Sequence, residues 1–489
     1  MPPASLRHAR LLSRCAPGLL LVAGLASAAA GQAIGPDMIS SSHIDVARNG
    51  NNAAGTIIGY SVGSLTCNIG DLPANTHTDV TIRPLASQEM FRYRSFTLPG
   101  SSVPFSRMEQ IGQGWVKWVA VPASGSSPTC GTGSCGGSSP GVMSPNCGDV
   151  YGSGFNSPTG MARRSFINAA TGVLSGSRGG GTGESTISTR IQVLASDLAA
   201  QPQGTRFFIE TVHLLPHDAQ YLRPGQNVAI NALNNAASQE IGVNGGVGNA
   251  TLIGGAANRQ VPVIARWREL DPTVTLVTAD HDDTPNPSRA GAFIRCRFYV
   301  AAKVTDLLDG RWRYEYAVYN LNSDRSAGSF TLPMHDSTAF TDYYFRHAPT
   351  HSGENIGNAP WTATKAAHSL VFATQTFAAN PAANAIRWGT MYNFGFTAPV
   401  PPTTGEARLG LFKPGTLADI AVPGLPVPSM PPVCAADFNG DGSLDPDDLS
   451  DFIGCFFQAP ACVGTDINDD GNVDPDDLSD YIGLFFAGC

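Results

Sequence analysis

The chain repeats itself once, at its end. DFNGDGSLDPDDLSDFIGCFF starts at Asp437, and DINDDGNVDPDDLSDYIGLFF starts 29 residues later at Asp466. Each copy opens with D-x-N-x-D-G, the spacing of a calcium-binding loop. In the first, positions 1, 3 and 5 are Asp437, Asn439 and Asp441. Gly442 allows the sharp turn, Ser443 offers its backbone carbonyl at position 7, Asp445 stands at position 9 and Asp448 closes the loop at position 12. The second supplies Asp466, Asn468, Asp470, Asn472, Asp474 and Asp477 at the same offsets. Alternate side chains of so tight a loop converge on one point, and hard oxygen donors suit Ca²⁺, so two ions are expected.

A short helix is expected after each loop. Asp445 suits the N-cap and Pro446 the first helical position, with Leu449, Phe452, Ile453 and Phe456 on one face. Leu478, Tyr481, Ile482 and Phe485 repeat that face. Neither helix is long enough to be stable alone, so the two are expected to pack together. Charge agrees with cation binding. Cys434–Cys489 holds thirteen Asp and no Glu, Lys or Arg, and the rest of the chain sums to +4. So many carboxylates in one short segment repel one another unless cations lie among them. The near-neutral remainder has no basic stripe for nucleic acid.

A repeated calcium loop followed by a helix, with no helix before the first loop, resembles a dockerin. This module attaches secreted proteins, often polysaccharide-degrading enzymes, to cohesin receptors. The resemblance covers 434–489, about 11% of the chain. Asp at position 12 agrees with the type I-like form, and Cys434 with Cys489 resembles a variant that has cysteines at both ends. The resemblance implies a Cys434–Cys489 clasp, with Cys455–Cys462 as a second bridge, and a cohesin-like or other cell-surface receptor as partner. Positions 10 and 11, hydroxyl residues in the best-known dockerins, are here Pro446-Asp447 and Pro475-Asp476.

At the other end, Arg7, His8, Arg10 and Arg14 precede the apolar run APGLLLVAGLA and small residues up to Ala30. Residues 1–30 therefore read as a Sec signal peptide, too short in its apolar run to span a membrane, on a secreted or cell-surface, bacterial-type protein. In an oxidising compartment cysteines pair. The body holds an odd number, Cys67, Cys130, Cys135, Cys147 and Cys296. Zinc on Cys130, Cys135 and Cys147 is the weaker alternative, since the spacing is not C-x2-C and no His is near.

Residues 31–421 form the body, expected to be mainly β: one or two antiparallel β-sandwich-like units ahead of the small helical module. Phe293–Tyr319 alternates apolar and polar residues around TDLLDG, the signature of a long hairpin. A helix is expected around Val228–Glu240, an internal boundary near Asp271 and a Pro-rich linker over 422–433. CNIGDLP, EQIGQGWVKW, KVTDLLDGRWRYEYAVYNLNSDRS and RWGTMYNFGF make the body similar to a group of secreted bacterial proteins, a resemblance that implies no mechanism.

No catalytic residue can be assigned. Ser61 and Ser139 sit in G-x-S-x-G matches without the strand–turn–helix context that a nucleophile elbow needs. His347, His351 and Glu354 form the most suggestive polar cluster for a transition metal, although Pro349 disfavours the helix that H-x3-H pairs use. Asp280, His281, Asp282 and Asp283 could serve a cation or an acid/base pair, but ahead of DTPNPS they read as a solvated turn. A glycoside hydrolase needs two carboxylates across a cleft, for which Glu210, Glu315 and Glu354 are the candidates. The leading expectation is a secreted non-enzymatic binding or structural protein tethered by its tail. The alternatives are a polysaccharide-degrading glycoside hydrolase with the same module, or a carbohydrate-binding sandwich using Trp115, Trp118 or Trp361.

Overall fold

The computed structural model describes residues 34–488 except 77–82, 119–129, 131–133, 138, 140, 156–160, 177–178, 180–182, 245–247, 430–433, 435, 441–442, 459, 463 and 469. The expected signal peptide, Asp441 and Cys489 thus lie outside the described residues.

The protein is mainly β, built from multiple antiparallel sheets. A first, twelve-stranded sheet carries, in spatial order, Met38–Asn51, Ile57–Asn68, Ile191–Leu194, Phe105–Gln113, Leu85–Phe96, Arg206–Leu214, Ala236–Val243 and Ala250–Leu252. A six-stranded sheet is built on Phe293–Asp306, Trp312–Asn320 and Thr390–Ala398. A five-stranded sheet runs Thr362–Ala366, Ser369–Ala373, Ala327–Pro333, Pro402–Leu411, Asp419–Pro428.

The six-stranded sheet is the middle layer, and period-2 alternation explains why. Phe298, Val300, Tyr314, Tyr316, Phe394 and Phe396 turn one way, into a core shared with the five-stranded sheet. Tyr299, Ala301, Ala317, Tyr319 and Met391 turn the other way, onto Phe91, Met108, Phe208 and Trp267 of the first sheet and its helix Ile264–Leu270. Successive side chains of a strand point to opposite faces, so one strand can serve two cores. The two sandwich-like units therefore share a sheet. The strands change sheet around Asp271, yet Ser106 and Lys303 both donate to its carboxylate, joining first and middle layers there.

The expected hairpin forms, with Phe293–Asp306 against Trp312–Asn320 and Asp306 opposite Trp312. Its turn is held by Asp306 Oδ1, which accepts from the Leu308 amide at 2.7 Å.

Three expectations fail. The helix over Val228–Glu240 is instead a two-residue strand, one 3-10 turn at Asn231–Asn234 and the strand Ala236–Val243. Asn231 and Asn235 spend their side chains on Pro36 O and on Asp218 and His213 O, and pairing with Arg206–Leu214 fixes the rest. Asp280–Asp283 is not a solvated turn but part of the strand Thr275–Pro285, with an irregularity in register after His281. The linker expected from 422 is still strand up to Pro428; Asp419–Pro428 is an edge strand, where prolines are tolerated because one row of backbone groups needs no partner.

The cysteines around the Gly/Ser-rich stretch pair as Cys67–Cys130 and Cys135–Cys147, which removes the zinc alternative, and Cys296 is the buried free thiol. In the tail Cys455 bridges Cys462. Cys434 is disulfide-bonded, and the partner expected for it, Cys489, is outside the described residues. No helix among the described residues is long and apolar enough to cross a membrane.

Candidate functional sites in the tail and the body

In the tail, Pro446–Phe456 and Pro475–Ala487 are helices with the same start. Asp445 accepts from the Asp447 amide at 2.9 Å, and Asp448 accepts from the Asp445 amide at 3.0 Å. Asp474 and Asp477 repeat this reciprocal cap at 2.9 Å each. A carboxylate in the first turn also faces the positive end of the helix.

The closing aspartates reach back across their loops. Asp448 Oδ1 accepts from the Asn439 amide at 3.2 Å, and Asp477 Oδ1 from Ile467 and Asn468 at 2.7 and 3.3 Å. Backbone donation, from Asp474 first, holds the Asp477 carboxyl below its usual range. In the second loop Asp466 accepts from the amides of Asp470 and Gly471, Asn468 from Asp470, and Asp470 from Asn472. Gly471 has φ +87°, a conformation that an L side chain rarely adopts.

Five of the six expected second-loop residues, all but Asn472, therefore direct side-chain oxygens at loop amides. Among the described residues no three His, Cys, Asp or Glu meet as a ready metal group. The donor set is carboxylate and amide oxygen, which fits Ca²⁺ and not a soft metal.

Phe452 and Tyr481 join the two helices, stacking with centroids 3.8 Å apart, while Phe438 packs edge-on and Tyr481 donates to Ala436 O at 2.7 Å. Of the two expected apolar faces, only these two residues are fully buried. Ile453 and Ile482 are each 37% exposed, and Phe457 and Phe486 are 73% and 78% exposed. Each pair is separated by the 29-residue repeat.

The expected metal cluster in the body does not assemble. His347 Nδ1 lies 2.8 Å from Ala348 O, buried His351 accepts from the Gly353 amide, and Glu354 accepts from the Arg164 amide and the Ser165 hydroxyl. Burial lowers the His351 imidazole to about 4.

The carboxylates weighed for hydrolysis are committed elsewhere. Glu315, 1% exposed, takes both Arg107, at 2.6 and 2.7 Å, and Arg313, at 2.6 Å. Glu210 is fully buried and accepts from the Tyr319 hydroxyl at 2.7 Å and from the Val263 amide. Burial, then the neighbouring Glu89, pushes its carboxyl up to about 8. Trp361 and Trp115 are buried, so neither offers a sugar platform, and the Trp118 side chain is outside the described residues.

Two groupings escaped the sequence. One is a buried ion network between the first and middle sheets. Glu109 receives Arg92 at 2.8 Å, Arg94 at 3.0 Å and the Tyr344 hydroxyl at 2.6 Å. Burial would raise its carboxyl, but Arg346, Arg92 and Arg94 hold it at about 2.

The other brings Ser323, His281 and Asp283 into line. His281 Nε2 is 2.8 Å from Ser323 Oγ, and Nδ1 is 2.7 Å from Asp283. The order is that of a hydrolase triad, but access is missing. Ser323 has no exposed surface, its amide and carbonyl are held by Asn320, and Asp283 is also neutralised by Arg325. A nucleophile must reach a reacting carbonyl carbon, so this trio fastens a loop to a strand instead.

Neither a protein-family model nor a curated protein matches the chain.

Proposed function

We propose that this is a secreted, non-enzymatic binding or structural protein, held on a cohesin-like or other surface receptor by its tail. Two Ca²⁺ ions would be held by Asp437, Asn439, Asp441, the Ser443 carbonyl, Asp445 and Asp448, and by their counterparts Asp466 to Asp477. The observation that carries the reading is the duplication, in loop, cap and exposed surface alike. Ile453 with Phe457, and Ile482 with Phe486, offer the same apolar patch twice. Exposed apolar residues rimmed by carboxylates are suited to a protein partner. Disulfides at Cys67–Cys130, Cys135–Cys147 and Cys455–Cys462 support an oxidising, extracellular location.

The non-enzymatic part rests on the body, where Glu210, Glu315 and Glu354 are spent on structural partners. The test is retention of the full chain on the surface of the cells that secrete it. Chelator should release it, and Phe457→Ser with Phe486→Ser should prevent its return when calcium is restored. Retention indifferent to both treatments would refute tethering by the tail.

A further inference from the structure

A cavity of about 670 Å³ opens on the surface of the body beside the short helix Pro216–Ala219. Val173, Pro216, Leu222 and Pro287 supply apolar walls. The His217 and Tyr221 rings also line it, set edge to face with centroids 6.5 Å apart. The walls come from segments far apart in the chain and are cross-linked by hydrogen bonds. The Asn75 amide donates to His217 Nδ1 at 3.0 Å, and Asn286 Nδ2 to Gln220 O at 2.9 Å. Ser288 Oγ donates to Gln220 Oε1 at 2.6 Å, and Gln220 Nε2 to Thr171 O at 2.8 Å. Tyr221 is seated on Gly35, where a Cβ would lie 2.1 Å from its ring. The cavity is therefore preformed, as small-molecule sites usually are.

Among its side chains, His217, Tyr221 and Arg289 have donors left over. Because His217 Nδ1 accepts a hydrogen bond, the neutral ring carries its proton on Nε2, and burial lowers the imidazole pKa, which favours that neutral form. This Nε2–H, on a half-buried side chain, has no acceptor among the described residues. The Tyr221 hydroxyl also lacks a partner there, and exposed Arg289 makes no ion pair or side-chain hydrogen bond among the described residues. No carboxylate among the described residues lines the cavity. The nearest in sequence, Asp218, is fully buried and accepts from the Met38 amide at 3.1 Å and from Asn235 at 2.8 Å.

A cation without a counter-charge, next to neutral donors, favours an anion, and the planar guanidinium matches a carboxylate. Apolar walls and edge-on rings favour an aromatic body over a sugar. The volume is several times the roughly 150 Å³ that holds benzene, enough for a substituted ring. We propose that this cavity binds an aromatic monocarboxylate, its ring against the prolines and Leu222 and its charge met by Arg289. Nothing in the proposal depends on the calcium loops or on a receptor.

The test is calorimetric titration of the full chain with sodium 4-hydroxycinnamate, in calcium and in chelator. Methyl 4-hydroxycinnamate keeps the ring without the charge, and sodium galacturonate keeps the charge without the aromatic ring. Hydroxycinnamate should bind equally in both conditions, about tenfold or more tighter than either control. Arg289→Gln removes the cation at an exposed position, where the fold has no stake in it, and should weaken hydroxycinnamate about tenfold. Val173→Trp narrows the cavity without altering charge and should weaken it as well. The proposal is overturned if hydroxycinnamate does not bind at millimolar concentration, if either control binds as tightly, if chelator abolishes binding, or if a folded variant binds like the parent.

Discussion

Burial moves acids and bases of the body in opposite directions. The Glu210 carboxyl is pushed up to about 8, whereas the His43, His213 and His351 imidazoles are pushed down to about 4, 3 and 4. A raised carboxyl keeps in the native state a proton that the unfolded chain releases above its ordinary value of 4.5. Its stabilising contribution is complete below that value and is lost as pH rises through about 8. Each histidine is neutral when folded and charges on unfolding below 6.5, so its contribution is complete above 6.5 and lost as pH falls toward 4. Urea midpoints measured across pH should therefore fall on both sides of mildly acidic pH. Glu210→Gln, which mimics the protonated carboxyl, should flatten the alkaline fall and leave the acid one. An unaltered alkaline limb in that variant would show that another group sets it. These groups were poorly legible in the sequence. Glu210 was visible as an acidic residue within an apolar run, but nothing nearby indicated Tyr319 or Glu89, which come from other strands. A useful signal was opposite charge at period-2 spacing, as in Arg107 with Glu109 and Arg313 with Glu315.

Legibility was greatest where a local pattern and its tertiary use coincide. The hairpin Phe293–Asp306 with Trp312–Asn320 alternates because its two faces meet two different cores. The tail helices were equally readable, since N-cap, proline and first-turn carboxylate act within one turn. Their exposed face was not, because amphipathic spacing reports that a face is apolar and not how much of it a second short helix can cover. Ala236–Val243 was misread because small and polar residues carry weak local preference, and pairing with Arg206–Leu214 decides. At this scale the Phe452–Tyr481 stack is the joint between the repeats. Phe452→Ala should cost about 3 kcal/mol by loss of buried aromatic area, read as earlier melting of the tail's aromatic circular dichroism. Tyr481→Phe should cost only about 1 kcal/mol, the worth of its hydrogen bond to Ala436. In the body, replacing Cys67 and Cys130 by Ser should lower stability by about 2–5 kcal/mol in chemical denaturation. An unchanged midpoint would mean that the bridge does not restrain the unfolded chain.

Across the whole molecule, the three-layered body explains why so much charge is inside it. The middle sheet covers a face of the first that would otherwise be solvated, and the Arg and Glu residues on that face are kept by pairing with one another. Removing a shared partner leaves uncompensated buried charge, so Glu315→Leu, which strands both Arg107 and Arg313, should be far more harmful than Arg107→Met, which leaves Glu315 paired with Arg313. Urea midpoints of the two variants check this, and equal losses would contradict it. The proposed calcium loops would give the tail a different basis for order: its carboxylates outnumber its buried apolar residues, so on that proposal it depends on cations where the body depends on packing. Calorimetric titration of calcium into chelator-treated full-length protein tests this most directly. Two ions should bind per chain, and Asp466→Ala should leave one. Absence of binding, or a stoichiometry that Asp466→Ala does not alter, would contradict the account.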